Sequence, residues 1–237
     1  KVALSGDGAD ELFLGYGWYQ KHWHLPFIER LQQHLISNPF NGYLKNISVF
    51  NKSERKKLWK NSTIINNDIF VKKISGDSIE KINNFDLTTY LPGQLLTKID
   101  RMGMMHSLEV RSPYLDYKLA EFVYNLPTEY KMNKNENKII LKDILSEIMP
   151  KEFVYRRKQG FGAPVATWLL KDTIKKMVYE KLNRKESYIY NFLNRLPVEN
   201  MIRDFYEKNE IKKHYKIWVI LCLELWLESH KDNIIIS

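Results

Sequence analysis

The chain has 237 residues, of which 44% are hydrophobic and 27% charged, a composition typical of a folded globular protein and not of a disordered, collagenous or coiled-coil chain. A formal charge of +9 is compatible with a phosphate-bearing substrate, but the basic residues are dispersed and no RNA-binding motif accompanies them, which disfavours nucleic acid as a partner. The single cysteine, Cys222, excludes an internal disulfide and a cysteine-based zinc site and fits a reducing, cytoplasmic setting.

The chain begins with a predicted strand, Val2-Ala3-Leu4, which leads into a glycine-containing turn of residues 5–8. Residues 9–16 then carry apolar side chains at helical spacing, so we expect strand, tight turn and helix. A single strand leaves backbone hydrogen-bonding groups unpaired. We therefore expect its sheet neighbours upstream of Lys1, or self-association as a homodimer that covers its exposed side.

The remainder reads as nearly all helix. Apolar spacing and capping residues predict helices over residues 26–36, 52–59, 77–84, 86–96, 116–125, 138–148, 165–170, 172–182, 198–207 and 214–228. With no internal repeat and no linker rich in Pro, Gly or Ser, the sequence predicts one structural unit over 1–237, mainly α with one N-terminal strand.

The last predicted helix contains the longest apolar run of the chain, residues 217–223. A membrane-spanning helix needs about 20 apolar residues, so we expect no membrane partner. Cys222 lies in this apolar stretch, and we expect it to be an inert core residue.

The most informative segment is Ser5-Gly6-Asp7-Gly8-Ala9-Asp10-Glu11, where the strand ends and a helix begins. In open α/β sheets ligands lie beyond the carboxyl ends of strands, and glycines there let the backbone approach a nucleotide. Three carboxylates would repel a phosphate unless a cation lay between them, which indicates a magnesium-bridged phosphate with Asp10 as a ligand. Helix capping explains Asp10 and Glu11 equally well, but it leaves Gly6, Asp7 and Gly8 unexplained.

Two further segments carry charged residues in unusual settings. In residues 91–116, Glu109 and Arg111 are two apart, so in an extended stretch they point the same way, and we favour a structural ion pair. Residues 156–164 run from a basic triplet into a loop with glycines at 160 and 162. Lys158 there could follow charge that builds on a phosphate, although an ordinary basic loop explains the pattern as well.

Taken together, these segments resemble the synthetase domain of the glutamine-dependent asparagine synthetase family. Ser-Gly-Asp-Gly-Ala-Asp-Glu-Leu-Phe at residues 5–13, the central signature at 91–116, Lys-Gln-Gly-Phe-Gly within 158–164 and the closing helix at 215–227 follow the family's order and spacing. The resemblance covers nearly the whole chain. It implies the C-terminal portion of an α/β adenine nucleotide alpha-hydrolase-like domain of the N-type ATP pyrophosphatase kind.

The resemblance also implies an activity that uses ATP and Mg²⁺ to adenylate aspartate, after which ammonia from glutamine gives asparagine, AMP and pyrophosphate. It assigns Asp7 and Lys158 to catalysis, and the backbone of Ser5, Gly6 and Gly8 to nucleotide binding. It further implies a magnesium and pyrophosphate group of residues, with Asp10 as the metal ligand: Asp10, Glu11 and Arg157.

The chain departs from the family pattern at Leu14, where the family usually has glycine. The family's pyrophosphate loop and glutaminase domain would precede Lys1, so we expect this chain alone to be inactive. Two alternatives remain open: an amide ligase of the same type that acts on a sugar, a peptide or a β-lactam precursor, and a basic helical binding module.

Overall fold

The structure is a computed structural model that describes residues 1–23, 39–61, 78–156 and 162–233. These residues fall into two compact units. The strand unit comprises Lys1–Asn46 and Asn67–Lys158, and the helical unit comprises Ile47–Asn66 and Gln159–Ser237. No linker rich in Pro, Gly or Ser marks this division in the sequence, and a single domain over residues 1–237 stays a prediction.

The strand unit contains a short parallel sheet of two strands. Strand β1 (Val2–Leu4) is confirmed as predicted, and it pairs with β2 (Glu109–Arg111) in the register Val2↔Glu109, Ala3↔Val110 and Leu4↔Arg111. The prediction of a single strand is therefore wrong, since β1 finds a neighbour within the chain. The sequence conceals β2 because it has three residues, two of them charged, and is too short for a strand pattern.

Along the chain, the helices of the strand unit lie between β1 and β2 and after β2. Those with α geometry are α1 (Ala9–Leu12), α2 (Gly17–Trp23), α3 (Pro39–Ile47, whose last residue falls in the other unit), α5 (Ser78–Phe85), α6 (Thr97–Met104), α7 (Tyr117–Asn125), α8 (Thr128–Lys131), α9 (Ile139–Ser146) and α10 (Lys151–Val154). Asp116 begins α7 by accepting hydrogen bonds at Oδ1 from the amides of Lys118 (3.1 Å) and Leu119 (3.2 Å).

The predicted helix over 86–96 has the predicted bounds but π-helical geometry, Asp86–Leu96, and continues without a break from α5 into α6. Pro92 lies inside it and has no amide hydrogen to donate. The hydroxyl of Thr97 donates to the Pro92 carbonyl (2.8 Å), which gives that carbonyl a partner. Widened turns of this type occur often at functional sites.

The helical unit is built from α4 (Lys52–Leu58), α11 (Val165–Leu169), α12 (Asp172–Leu182), α13 (Arg195–Tyr206) and α14 (His214–Ser229). Its core is a single cluster of buried apolar side chains that includes Leu169, Phe205 and Leu221. The expectation for Cys222 is wrong: this thiol is exposed, because α14 turns its other face, with Leu221, toward the core.

Most predicted helices are confirmed to within a few residues, and the prediction for 26–36 lies outside the described residues. The first helix is shorter than predicted and ends at Leu12, because Leu14 adopts a left-handed backbone conformation with φ 54°. The sequence analysis predicted no range for α2, α3, α6, α8 or α10. No helix in the described ranges is both long and apolar enough to cross a membrane.

Candidate functional site at the carboxyl end of β1

The 5–8 turn lies directly beyond the carboxyl end of β1. Gly8 has φ 85°, and a Cβ placed on it would lie 2.3 Å from Cδ2 of Leu115, so the backbone conformation and the space both require glycine. Gly6 is exposed and has nothing within 4 Å of a Cβ position, so space does not restrict it. Of the two predicted glycines, only Gly8 is thus required by the fold itself.

The Ser5 amide donates to the carbonyl of Arg111 (2.8 Å), which extends the parallel ladder by one bond beyond β1. A backbone contact from Ser5 to a nucleotide would therefore use its carbonyl oxygen. The Gly6 carbonyl accepts from the amide of Ala9 (3.3 Å). Asp7, the predicted catalytic carboxylate, is half-buried between these anchored residues.

Asp10, the predicted metal ligand, is held by a lysine that the motif does not contain. Lys138 Nζ lies 2.9 Å from Asp10 Oδ1, and both side chains are about one quarter exposed. A Cβ on Gly15 would lie 2.1 Å from Asp10 Oδ1 and also 2.1 Å from Lys138 Cε, so a larger residue there would force the ends of these two side chains to move. The carbonyl of Gly15 also accepts from Asn137 Nδ2 (2.7 Å).

Sequence reasoning missed Lys138 and Gly15. Lys138 lies in the predicted helix 138–148, where nothing distinguishes it from a solvated lysine, yet it has a left-handed conformation (φ 55°) and precedes α9. Gly15 next to Leu14 was visible in the sequence, but its close contact with Asp10 depends on a turn that no local pattern specifies.

Glu11, predicted in the magnesium and pyrophosphate group, is 1% exposed. Its Oε1 accepts a hydrogen bond from the Tyr16 hydroxyl (2.6 Å), whereas its Oε2 has no partner among the described residues. Burial raises the pKa of Glu11, more than the Tyr16 bond lowers it, and the charges of Asp10 and Asp86 raise it further. This burial favours a role in positioning α1 over direct contact with a metal ion.

A second buried carboxylate, Asp86, joins the π-helical segment to α2 and α3. Its Oδ2 accepts from the hydroxyl of Tyr19 (2.6 Å) and from Trp18 Nε1 (3.1 Å), and its Oδ1 accepts from the Tyr43 hydroxyl. Asn83 Nδ2 in α5 donates to the Glu11 carbonyl (2.6 Å). Burial raises the pKa of Asp86, although these three donors act in the opposite direction.

The carboxylates of the turn suit a magnesium ion that keeps most of its other ligands from phosphate and water. Among the described residues, no group of three or more His, Cys, Asp or Glu side chains could hold a metal. Mg²⁺ in nucleotide sites is commonly bound by one or two carboxylates together with substrate phosphates. Asp7 in the 5–8 turn and Asp10 in α1 are carboxylates that are not fully buried, and they fit that donor set.

The remaining predicted site residues are Arg157 and Lys158, and both lie outside the described residues. Their neighbour Arg156 places its guanidinium 4.5 Å from the centre of the Phe153 ring. The predicted pairing of Glu109 with Arg111 is confirmed: Arg111 Nε lies 3.6 Å from Glu109 Oε1, and both side chains are exposed.

A glycine turn at the carboxyl ends of parallel strands is typical of nucleotide-binding α/β proteins. The family model for asparagine synthase matches residues 1–228, and the chain therefore belongs to the asparagine synthase family. No solved structure matches it.

Three relatives illustrate the similarity. Glutamine-hydrolysing asparagine synthetase 1 of Bacillus subtilis (strain 168) is 28% identical over 98% of this chain and 40% of its own length. Asparagine synthetase 3 of the same strain is 28% identical over 85% of the chain and 32% of its own length. The glutamine-hydrolysing asparagine synthetase of Gallus gallus is 30% identical over 50% of the chain and 22% of its own length. The chain thus spans well under half the length of these relatives.

Proposed function

We propose that this chain is the C-terminal part of an ATP-dependent asparagine-forming ligase. The observation that carries the proposal is the family match over residues 1–228, which includes the 5–8 turn and its carboxylates. The proposed fold is an adenine nucleotide alpha-hydrolase-like domain. In support, Val2 and Leu4 on β1 are 58% and 74% exposed, whereas parallel sheets normally have both faces covered.

The proposed reaction has two steps. An oxygen of the aspartate side-chain carboxylate attacks the α-phosphorus of ATP, and pyrophosphate leaves with the electron pair of the broken P–O bond. Ammonia then attacks the acyl carbon, loses a proton and forms the amide, while AMP leaves with the former carboxylate oxygen. Magnesium, when bound, neutralises charge on the phosphates that develops in the first step.

The 5–8 turn and the charged residues predicted with it would divide the binding and catalytic roles. The Ser5 carbonyl, Gly6 and Gly8 would let the backbone lie against the nucleotide, and Asp7 would face the carboxylate that is activated. Asp10 would hold magnesium and pyrophosphate, together with Arg157. Lys158 would stabilise charge on the phosphates in the adenylating transition state.

The contact between Asp10 and Lys138 gives Asp10 a defined position before any ligand binds. In the proposed complex the Lys138 ammonium lies beside the same phosphates as Asp10 and adds a positive charge there. Glu11 does not contact the ligands in this proposal; through its hydrogen bond with Tyr16 it fixes the one-turn helix α1.

The proposed ammonia source is glutamine, hydrolysed by a glutaminase domain elsewhere in the full protein. The relatives are named as glutamine-hydrolysing enzymes, and they are much longer than this chain. We propose that this chain by itself neither forms the amide nor hydrolyses glutamine, and that it self-associates as a homodimer that covers the exposed side of β1.

The test uses the full-length gene product that contains this chain, with ATP, Mg²⁺, ammonia and aspartate. We expect aspartate-dependent release of pyrophosphate and formation of asparagine. Asp10→Asn and Lys158→Ala should each lower kcat by about 100-fold or more, since each removes a charge aimed at the transition state. Lys176→Ala, which alters an exposed surface pair with Glu180, is the matched control and should leave the rate unchanged.

Two results would contradict the proposal. If ATP is turned over only with another carboxylate, the adenylating mechanism survives but aspartate is the wrong substrate. If the folded full-length protein releases no pyrophosphate with any carboxylate offered, the ligase function is wrong.

A further inference from the structure

The side chain of the residue that directly follows β2 contacts the 5–8 turn. The Ser112 hydroxyl donates to the carbonyl of Asp7 (2.5 Å), and the Ser5 hydroxyl lies 3.4 Å from the same Ser112 oxygen and donates to it. Ser112 is more than one hundred residues from both partners in sequence, so this contact is entirely tertiary.

The neighbours of Ser112 hold the same turn. The carbonyl of Arg111 accepts the Ser5 amide, and Leu115 fills the space beneath Gly8. Residues 111–115 thus hold the turn at its first, third and fourth residues. In this set, Ser112 is the residue whose side chain hydrogen-bonds to the turn.

The backbone of Ser112 is itself constrained. It is extended, with φ −113° and ψ 98°, and it precedes Pro113, which disfavours the helical conformation for the residue before it. Ser112 is half-buried. Its hydroxyl is therefore presented to Asp7 by a rigid segment, and little conformational entropy is lost when the bond forms.

We propose that Ser112 is a positioning residue for nucleotide binding: through its hydroxyl it fixes the Asp7 carbonyl, and with it the backbone conformation of the 5–8 turn that faces ATP. The inference rests on the proposed function, because the turn must bind a nucleotide for its position to matter. A preorganised backbone binds its ligand more tightly because less ordering is needed on binding.

The experiment compares variants of the full-length protein by ATP titration of pyrophosphate release and by equilibrium dialysis of ATP. Ser112→Ala should raise the KM and Kd for ATP about 5-fold, because about 1 kcal/mol of ordering that the hydroxyl supplies in the free protein must then be recovered on binding, and it should change kcat by less than about 2-fold. Ser112→Thr keeps the hydroxyl and suits an extended backbone, so it should restore both values to within about 2-fold.

Ser53→Ala is the matched control, because Ser53 is an exposed serine in the first turn of α4. It should leave the KM for ATP unchanged. If the Ser112→Ala protein has a lower Tm than the wild type but the same KM and Kd for ATP, the Ser112 hydroxyl has a structural role only, and the inference is overturned.

Should Ser112→Ala fail to fold, Ser112→Cys retains the size of the side chain with a weaker donor, and an unchanged Kd for ATP in that variant would overturn the inference instead. Failure of the proposed function is distinguished from failure of this inference by the wild type. A wild-type protein that releases no pyrophosphate refutes the function, whereas an active wild type with an unaltered Ser112→Ala variant refutes only the role of Ser112.

Discussion

The two units bury carboxylates in different ways. In the helical unit, Glu224 is 0% exposed and fully compensated: its Oε1 accepts from Arg184 Nη2 (3.2 Å) and the Tyr188 amide (3.1 Å), and its Oε2 accepts from the Ile189 amide (2.8 Å). In the strand unit, Glu11 and Asp86 are also buried, but their described donors are neutral hydroxyl and indole groups. Among the described residues, neither forms an ion pair with Lys or Arg.

Backbone strain follows the same division. Gly8, Leu14, Ser107 and Lys138 all have positive φ and lie within the strand unit, and of these Lys138 contacts Asp10. In the helical unit, the described non-glycine residue with positive φ is Asn209, and asparagine tolerates this conformation. Strain and poorly compensated charge cluster at functional sites, where surrounding structure holds them in place. The comparison supports the proposal that the strand unit carries the chemistry, and it indicates a structural role for Glu224 in the helical unit.

The largest effect is expected from Glu224→Ala. Removing this carboxylate leaves Arg184 and two amides without their buried partner, so the free energy of unfolding should fall by about 3 kcal/mol. Urea unfolding of the full-length protein measures it. Glu228→Ala, which removes the partly exposed second partner of Arg184, should cost less than about 1 kcal/mol. Equal losses in the two variants would contradict the special role of Glu224.

Gly8→Ala should lower the free energy of unfolding by about 2 to 3 kcal/mol, since it adds left-handed strain and a clash with Leu115. Gly6→Ala is the matched control for stability and should cost under about 1 kcal/mol, because its Cβ position is open. Adding Leu115→Ala to Gly8→Ala should recover the part of the unfolding free energy that is lost to the clash, but not the part that is lost to the left-handed strain. If Gly6→Ala and Gly8→Ala were equally stable, the strained turn would not exist as described.

The pH dependence of the unfolding free energy of Glu11→Gln tests whether the buried Glu11 carboxylate is weakly compensated. Because the pKa of Glu11 is raised in the folded protein, its stabilising contribution is complete below its ordinary value of 4.5 and is lost as pH rises through the folded pKa. The variant should therefore gain stability relative to wild type as pH rises from 4, with a slope of at most about 1.4 kcal/mol per pH unit.

Glu228→Gln should show the opposite sign. Hydrogen bonds from Lys181 and Arg184 lower the pKa of Glu228, so its contribution is present above its ordinary value and is lost as pH falls through the folded pKa. Chemical unfolding at a series of pH values gives both differences. If the change in unfolding free energy has the same pH dependence in both variants, the difference between the two units is contradicted.

The smallest effect is a difference between two substitutions at one site. Leu14 is 2% exposed and left-handed, so Leu14→Ala and Leu14→Gly both lose its packing, but only glycine relieves the strain. Leu14→Gly should therefore be more stable than Leu14→Ala by about 1 kcal/mol. At Leu221, which is buried in the interior of α14, the order should reverse, with glycine about 1 kcal/mol worse. The same order at both positions would argue against strain at Leu14.

Much of this architecture could be predicted from local sequence, and the site only in part. Apolar periodicity located most helices, such as Asp172–Leu182, because a packed amphipathic face dictates its own spacing. The helix break at Leu14, the second strand and the Asp10–Lys138 contact depend on partners far away in sequence. Glu11 shows the same limit, since a carboxylate in a motif looks the same whether it faces a ligand or a buried tyrosine.

The most direct test of the ligase proposal follows one oxygen atom. Aspartate labelled with ¹⁸O in its side-chain carboxylate is incubated with the full-length protein, ATP, Mg²⁺ and ammonia, and the nucleotide product is analysed by mass spectrometry. If the carboxylate attacks the α-phosphorus, the product is AMP that carries one ¹⁸O. Unlabelled AMP, or ADP with phosphate as the products, would contradict adenylation of aspartate.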